Sequence, residues 1–330
     1  MRAVVLDKFG GLDSLVYKDI PEPEPKPDHV VIQVKGFGLN HAELHMRRGE
    51  WAEAAPVSGI ECVGIVKSCP GGEFPVGAKV AALMGGLGRT INGSYAEYTR
   101  APVSNVALIE AEPPWAELAA IPETYATAWT CLFRNLEIRE GQLLVIRGAT
   151  SSFGQAAVKL AVNAGVRVIA TTRNAGRFAL LEKLGVERCE IERPDLSKHI
   201  VESKQIDAVL DLVGNSVVLD SLALLRRGGR SCLAGWLGGL DPIPDFNPLL
   251  QMASGLYLTF SEASSLAGRA SRSRTCRLLR SRKMPSPAGW MSSRFGPSAS
   301  TRSVRRIASW KPMRRTARWS WFSTDNRFVE

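Results

Sequence analysis

Residues 143–173, LLVIRGATSSFGQAAVKLAVNAGVRVIATTR, carry the residue types whose order most directly implies chemistry. An apolar run from Leu143 to Ile146 enters a loop of small residues, Gly148 to Gly154, and the loop opens an amphipathic helix. First-turn N–H groups of a helix lack intrahelical acceptors and can face a pyrophosphate. A second strand, Val166 to Thr171, then ends where the ribose of an adenosine would lie. A site for NADH usually places Asp or Glu there to hold the 2′-hydroxyl. Here stand Thr171, Thr172 and Arg173, with Arg177 one turn further. A guanidinium suits a 2′-phosphate dianion, which a carboxylate would repel. The segment therefore reads as a site for NADPH rather than NADH. The plainer alternative is that both arginines merely begin a charged helix.

The loop itself, G-A-T-S-S-F-G, departs from the glycine-rich fingerprint, because Ser151 and Ser152 occupy places where glycine is usual. Only Gly154 sits at the expected close helix–strand contact. The context strengthens it: the loop lies in a strand–helix–strand unit followed by further alternations. Strands are expected near 143–147, 166–171, 207–212 and 230–235, with helices near 152–164, 175–184 and 216–225. Gly185 is placed to stop the second helix and Gly228-Gly229 the third. This is the pattern of a doubly wound parallel sheet. Residues 1–120 instead read as β-rich. Short alternating strands (Ala3 to Leu6, His29 to Lys35, Gly64 to Lys67, Lys79 to Ala82, Ser94 to Thr99) are divided by turns such as PEPEPKPD. The expected class is α/β, a β-rich domain over 1–120 followed by a Rossmann dinucleotide domain over 121–260.

The 330 residues suffice for two cores. A hydrophobic content of 45% with 22% charge is that of a soluble globular protein. No apolar run reaches membrane-spanning length, and the start, MRAVVLDKFG, reads as a strand rather than a signal peptide. A cytoplasmic enzyme is expected. The six cysteines (Cys62, Cys69, Cys131, Cys189, Cys232, Cys276) form no C-x-x-C pair and no framework that would indicate disulfides or structural zinc. The net charge of +10 is unevenly placed: residues 261–330 hold 16 Lys and Arg against 3 Asp and Glu, so everything before them is slightly acidic.

Several separated stretches, in order, resemble the medium-chain dehydrogenase/reductase superfamily and, within it, the zinc-independent quinone oxidoreductase branch. They are GFGLNHAELHMRRGEW (36–51), VSGIECVGIV (57–66), FPVGAKVAAL (74–83), GSYAEYTRAP (93–102), TYATAWTCLF (124–133), the strand–helix–strand unit, IDAVLDLVG (206–214) and LLRRGGRSCLAG (224–235). The resemblance covers residues 1 to about 260. It implies a GroES-like first domain, a small-molecule substrate and a homodimer. Zinc members carry a cysteine near Asn40, a histidine within the segment at Gly59-Ile60-Glu61 and a four-cysteine lobe. This chain has Asn40, Ile60 and no such lobe, and its four histidines (His29, His41, His45, His199) do not complete a ligand set. No metal is expected.

Without a Lewis acid, a hydride and a proton source must suffice. Reduction of a quinone, or of an alkene conjugated to a carbonyl, meets that condition. The resemblance places Asn40 near the nicotinamide and the acceptor oxygen. It places Tyr125 and Thr127 on the cofactor side of the cleft, Ser151, Ser152, Phe153 and Gly154 at the pyrophosphate, and Gly235 near the nicotinamide. Quinone reductases often have tyrosines where this chain has His45 and Trp51, and Asp where it has Glu43. His45 could donate a proton near neutral pH, and Trp51 could stack on an aromatic ring. The alternatives are a solvated His45 on a helix surface, a Trp51 that only caps the core, and an Asn40 that only shapes a turn.

From about Ser261, Ser, Arg and Trp crowd in and hydrophobic periodicity vanishes. No strand or helix is placed there, and an aberrant, poorly ordered tail is expected. Members of the family typically close on A-H-R…E-A…G-K-M-V-V-V. Ser309 to Thr324 can be back-translated so that an offset frame, begun at the third base of Ala308, reads IVEADEAHGKMVVVLD and then stops. The same offset over Ser261 to Leu278 permits GSFVFGRPGFPLADVPL. A single-base slip near codon 260 would account together for the composition, the excess positive charge and the lost periodicity, and would compromise folding or activity.

Other functions remain open. An enoyl-thioester reductase or a zinc-independent alcohol dehydrogenase-like enzyme shares the scaffold. Nucleic-acid binding through the interleaved Trp310, Arg314, Arg315, Arg318, Trp319 and Trp321 is a non-enzymatic alternative, though the slip explains the same residues. An inactive relic is another. The nucleotide sequence is expected to show the offset reading followed by a stop codon. Codons incompatible with it would refute the slip.

Overall fold

The first half of the chain alternates buried and exposed positions, as antiparallel strands with one covered face must. The structure, a computed structural model, describes residues 1–51, 53–110, 112–261 and 307–309. Strands β1 (Arg2–Leu6) and β2 (Leu15–Asp19) pair antiparallel. β3 (His29–Gly38) leads through helix α1 (His41–Arg48) and a loop into β4 (Glu61–Ser68). β5 (Lys79–Leu83), β6 (Tyr98–Pro102) and β7 (Val106–Leu108) complete an antiparallel sheet around Val30, Ile32, Val34, Val66 and Val80. The short helix α2 (Trp115–Ala119) precedes α3 (Pro122–Thr130), which opens on a proline, the residue best suited to a first helical turn.

Beyond α3 the chain winds a six-stranded parallel sheet. In chain order its elements are β8 (Leu143–Arg147), α4 (Ser152–Asn163), β9 (Arg167–Thr172), α5 (Phe178–Glu182), β10 (Arg188–Ile191), β11 (Ile206–Asp211), α6 (Val218–Ala223), β12 (Leu225–Leu233) and β13 (Tyr257–Phe260). The spatial order is β10-β9-β8-β11-β12-β13, and every pairing is parallel. Alternate residues of β8 enter opposite cores. Leu144 and Ile146 pack with Ala157 and Val158 of α4, whereas Leu143 and Val145 pack with Leu222 of α6. Both faces are covered, which explains why β8 reads as an unbroken apolar run. The class is therefore α/β, a GroES-like antiparallel domain joined to a Rossmann-type sheet. Among the described residues, no helix is long and apolar enough to cross a membrane.

Three expectations need correction. The strand expected at Ser94 to Thr99 is displaced to Tyr98–Pro102; the preceding segment runs as a loop, with the Tyr95 N–H donating to Ser58 O (3.0 Å). Gly228 and Gly229 do not stop the third helix, which ends at Ala223. They lie inside β12, where Gly228 adopts φ +81° and the pairing with β11 skips from Leu225 to Arg230, a bulge that glycine accommodates. In the tail, Ile307–Ser309 forms β14 antiparallel to Gly36–Gly38 of β3, a strand the sequence did not reveal. The displaced frame and the aberrant tail otherwise lie outside the described residues, Ser261 and β14 apart.

The parallel sheet is tied at its carboxyl edge by Arg147, which is fully buried. Its guanidinium bridges Glu192 (2.5 Å) beyond β10 and Asp220 (2.9 Å) on α6, and donates to Ser221 Oγ (3.0 Å) and Arg193 O (2.7 Å). Removing the cation leaves buried carboxylates uncompensated. Arg147→Met is expected to lower stability by about 3–5 kcal/mol in urea unfolding; a loss under about 1 kcal/mol would show that the network contributes little.

Candidate functional site

The end of β3 delivers Asn40 to the start of α1. The Asn40 carbonyl accepts the Glu43 N–H (3.1 Å), and Glu43 Oε2 in turn accepts the Asn40 N–H (2.9 Å), a reciprocal cap of the first turn. Glu43 does more than cap. Its Oε1 accepts the Ile60 N–H (3.0 Å), and the Tyr95 hydroxyl donates to its Oε2. The Asn40 side chain is engaged elsewhere: Nδ2 donates to Glu61 Oε1 (3.0 Å). Glu61 Oε2 accepts the Glu123 N–H (2.8 Å) in the first turn of α3, and Glu123 Oε1 accepts from Thr127 Oγ1 (2.8 Å). A line of hydrogen bonds thus joins Asn40 in the first domain to Thr127 on the helix that packs against the second.

Glu61 is 2% exposed and Glu43 is 6% exposed. Burial is the main cause that raises the Glu43 carboxyl to about 7. Burial, reinforced by the neighbouring Glu123 charge, raises Glu61 to about 8. Burial pushes Glu123 upward as well. None of the three carboxyls is ion-paired among the described residues.

His45 and Trp51 come together beside this line. The two rings stack with centroids 5.7 Å apart and planes 9° from parallel, while His41 meets His45 edge-on at 5.2 Å. Glu50 contacts His45 Nδ1, and that contact holds the Glu50 carboxyl below its usual range. His45 is 9% exposed, so the alternative of a solvated helix residue is corrected. Trp51 packs on Met46, Ile60, Met84 and Ala126, and Ala126 stands between Tyr125 and Thr127 on α3. The tryptophan is therefore part of an apolar wall as well as a stacking partner.

On the cofactor side, Ser151 caps α4: its Oγ accepts the Gly154 N–H (3.0 Å) and donates to Gly148 O (3.0 Å). The Ser152 and Phe153 N–H groups remain without intrahelical acceptors, as at any helix start. A Cβ on Gly154 would lie 2.6 Å from Ala149 Cα, so only glycine permits this approach of helix to loop. The loop is knit to the end of β9 by Gly148 N–H to Thr171 Oγ1 (3.1 Å) and Ala149 N–H to Thr171 O (3.0 Å). Arg173 and Arg177 follow immediately, exposed and without an ion pair among the described residues. Tyr125 and Phe153 pack at the rim of the main core. Gly235 lies against Leu212, where a Cβ would come within 2.8 Å of Leu212 O. Arg173 and Arg177 thus lie exposed beside the Ser151-capped start of α4. The sequence reading missed Glu61, Glu123, Glu50 and Tyr95. A signal existed: Glu61 is an acid inside the apolar run GIECVGIV.

This architecture defines a nicotinamide-dependent oxidoreductase, and the chain belongs to the medium-chain dehydrogenase/reductase superfamily, on its quinone oxidoreductase branch. Residues 26–111 match the alcohol dehydrogenase GroES-like domain and residues 153–266 match the zinc-binding dehydrogenase family. The human quinone oxidoreductase is 27% identical over 256 residues, spanning 74% of this chain and 76% of the relative. A mycobacterial protein solved in complex with NADPH superposes with a TM-score of 0.75 at 25% identity, covering 85% of this chain and 87% of the other. An NAD-dependent alcohol dehydrogenase structure gives 0.74 at 27% identity, with 85% and 88% covered. Among the described residues, no group of three or more His, Cys, Asp and Glu is arranged to hold a metal ion.

Raised carboxyl pKa values fix the sign of a stability trend. Between the ordinary value of 4.5 and about 8, folded Glu61 holds its proton while the unfolded chain has lost it. Stability therefore falls as pH rises through that window, by at most about 5 kcal/mol from this group. The melting temperature is expected to drop across this range in the wild type and to drop less in Glu61→Gln; parallel curves would contradict it.

Proposed function

We propose that the chain is an NADPH-dependent reductase that delivers hydride to a quinone, or to an alkene conjugated to a carbonyl, without zinc. The observation that carries this reading is the Asn40 amide. It is held in place by the buried Glu61 and keeps an N–H for an acceptor oxygen. A bound reduced nicotinamide supplies the hydride. The chain supplies the rest. Asn40 donates to the oxygen on which negative charge develops. His45, whose Nδ1 meets Glu50, is the proton donor to that oxygen in this reading. Trp51, Met46, Ile60 and Met84 offer an apolar wall that excludes water from a flat, conjugated acceptor.

Cofactor recognition falls to α4 and β9. The Ser152 and Phe153 N–H groups take the pyrophosphate, Tyr125 and Thr127 line the nicotinamide side with Gly235 opposite, and Arg173 and Arg177 take the 2′-phosphate. The NADPH-bound mycobacterial neighbour and the quinone oxidoreductase relatives support this choice of cofactor and acceptor. Residues 1–120 then form the substrate domain and 121–260 the cofactor domain of a homodimeric, cytoplasmic enzyme.

Binding followed by fluorescence or calorimetry tests the cofactor assignment. Arg173→Asp is expected to weaken NADPH at least about tenfold and leave NADH unchanged, because only the 2′-phosphate uses the guanidinium. Equal affinities for the two cofactors in the wild type would overturn it.

A further inference from the structure

We propose that Glu61 is a positioning residue whose protonation decides which end of the Asn40 amide faces the acceptor. This rests on the reading of Asn40 as the donor to the acceptor oxygen. The geometry is specific. Glu61 has two oxygens with two different neighbours, the Asn40 amide at Oε1 (3.0 Å) and the Glu123 N–H at Oε2 (2.8 Å). The backbone donor at Oε2 is fixed by helix α3, so a proton on the carboxyl belongs on Oε1, facing Asn40. The fold makes room for this group: a Cβ at position 38 would lie 2.1 Å from Glu61 Oε1, and that position is glycine.

An amide has one donor end and one acceptor end. The Glu61 carboxylate accepts from Asn40 Nδ2, the arrangement seen in the structure. The neutral acid instead donates its Oε1–H, and the amide turns over to meet it with Oδ1. In that state both N–H groups of Asn40 are released toward the acceptor oxygen. Burial and the charges of Glu123 and Glu43 disfavour the Glu61 carboxylate, while the hydrogen bonds from the Glu123 N–H and the Asn40 amide favour it. Glu123 lies on α3, Glu43 on α1, Tyr95 in the loop before β6 and Cys62 next to it on β4. The Arg47 cation acts on Tyr95. Accordingly the neutral acid persists to about pH 8. Glu43 titrates nearby, at about 7, and its carboxylate meets Asn40 at the backbone N–H.

Glutamine discriminates this switch from a purely structural role. In Glu61→Gln, Oε1 keeps the Glu123 N–H and Nε2 donates permanently to Asn40 Oδ1, which imitates the neutral acid at every pH. The side-chain NH₂ resonances of Asn40, assigned by their loss in Asn40→Asp, are followed by NMR in the full chain across the span around pH 8. They are expected to titrate in the wild type and to stay fixed in Glu61→Gln. In parallel, kcat for quinone reduction is expected to fall above about pH 8 toward a level about a hundredfold lower, the order of losing an oxyanion donor. That alkaline limb is absent in Glu61→Gln and displaced to lower pH in Glu123→Gln, which removes the charge that holds the proton on Glu61. An alkaline limb that survives Glu61→Gln, or Asn40 resonances that ignore pH in the wild type, would overturn the proposal. If no acceptor is reduced at all, the proposed function fails, and the NMR titration alone still decides whether the switch exists.

Discussion

One buried carboxyl, with no ion-pair partner among the described residues, ties the first domain to helix α3. Glu61 takes a hydrogen bond from Asn40 on one side and from the first turn of α3 on the other. Burying a charge is costly unless it is paired, and a titratable group answers that cost by keeping its proton. The bridge between the two domains is therefore a hydrogen-bonded polar contact rather than an ion pair. Everything proposed for the chemistry, from the orientation of Asn40 to the placement of Thr127, follows from that arrangement.

The parallel sheet solves the same electrostatic problem differently. Arg147 is as deeply buried as Glu61, but it is met by Glu192 and Asp220, and by Asp211 through Ser221. Its network locks the ends of β8, β10 and α6 at the edge where the dinucleotide loop begins. Thr171 belongs to this network through Glu192 and also receives the Gly148 N–H. The loop therefore inherits rigidity from an ion-paired core, while Glu43, Glu61 and Glu123 form no ion pair among the described residues. A fixed cradle beside a titratable cleft suits an enzyme that holds a large cofactor and exchanges a proton with its substrate.

The sheet and the cradle were legible in the chain because their signals are local. An apolar run, a small-residue loop and a helix of regular period lie within thirty residues, and β8 falls where the sequence put it. Asn40, His45 and Trp51 were visible only as residue types. Their partners come from far along the chain: Glu61 and Glu123 are 62 residues apart, and Tyr95 is 52 from Glu43. No periodicity encodes such meetings. Gly228-Gly229 misled for a related reason, since glycine pairs mark helix ends and strand bulges alike, and only the pairing of β12 with β11 distinguishes them. Ile307–Ser309 was hidden because a three-residue strand that borrows the free edge of β3 needs no pattern of its own.

The account centres on hydride chemistry in the cleft between Asn40 and Thr127. It is tested most directly by incubating the full chain with NADPH carrying deuterium at one face of C4 and with a prochiral enone, then locating the label by mass spectrometry and NMR. The account predicts deuterium at the β-carbon of the product, delivered to one face, with loss of transfer in Asn40→Ala. Cofactor oxidation without label in the product, or no transfer from either face of the cofactor, would contradict it.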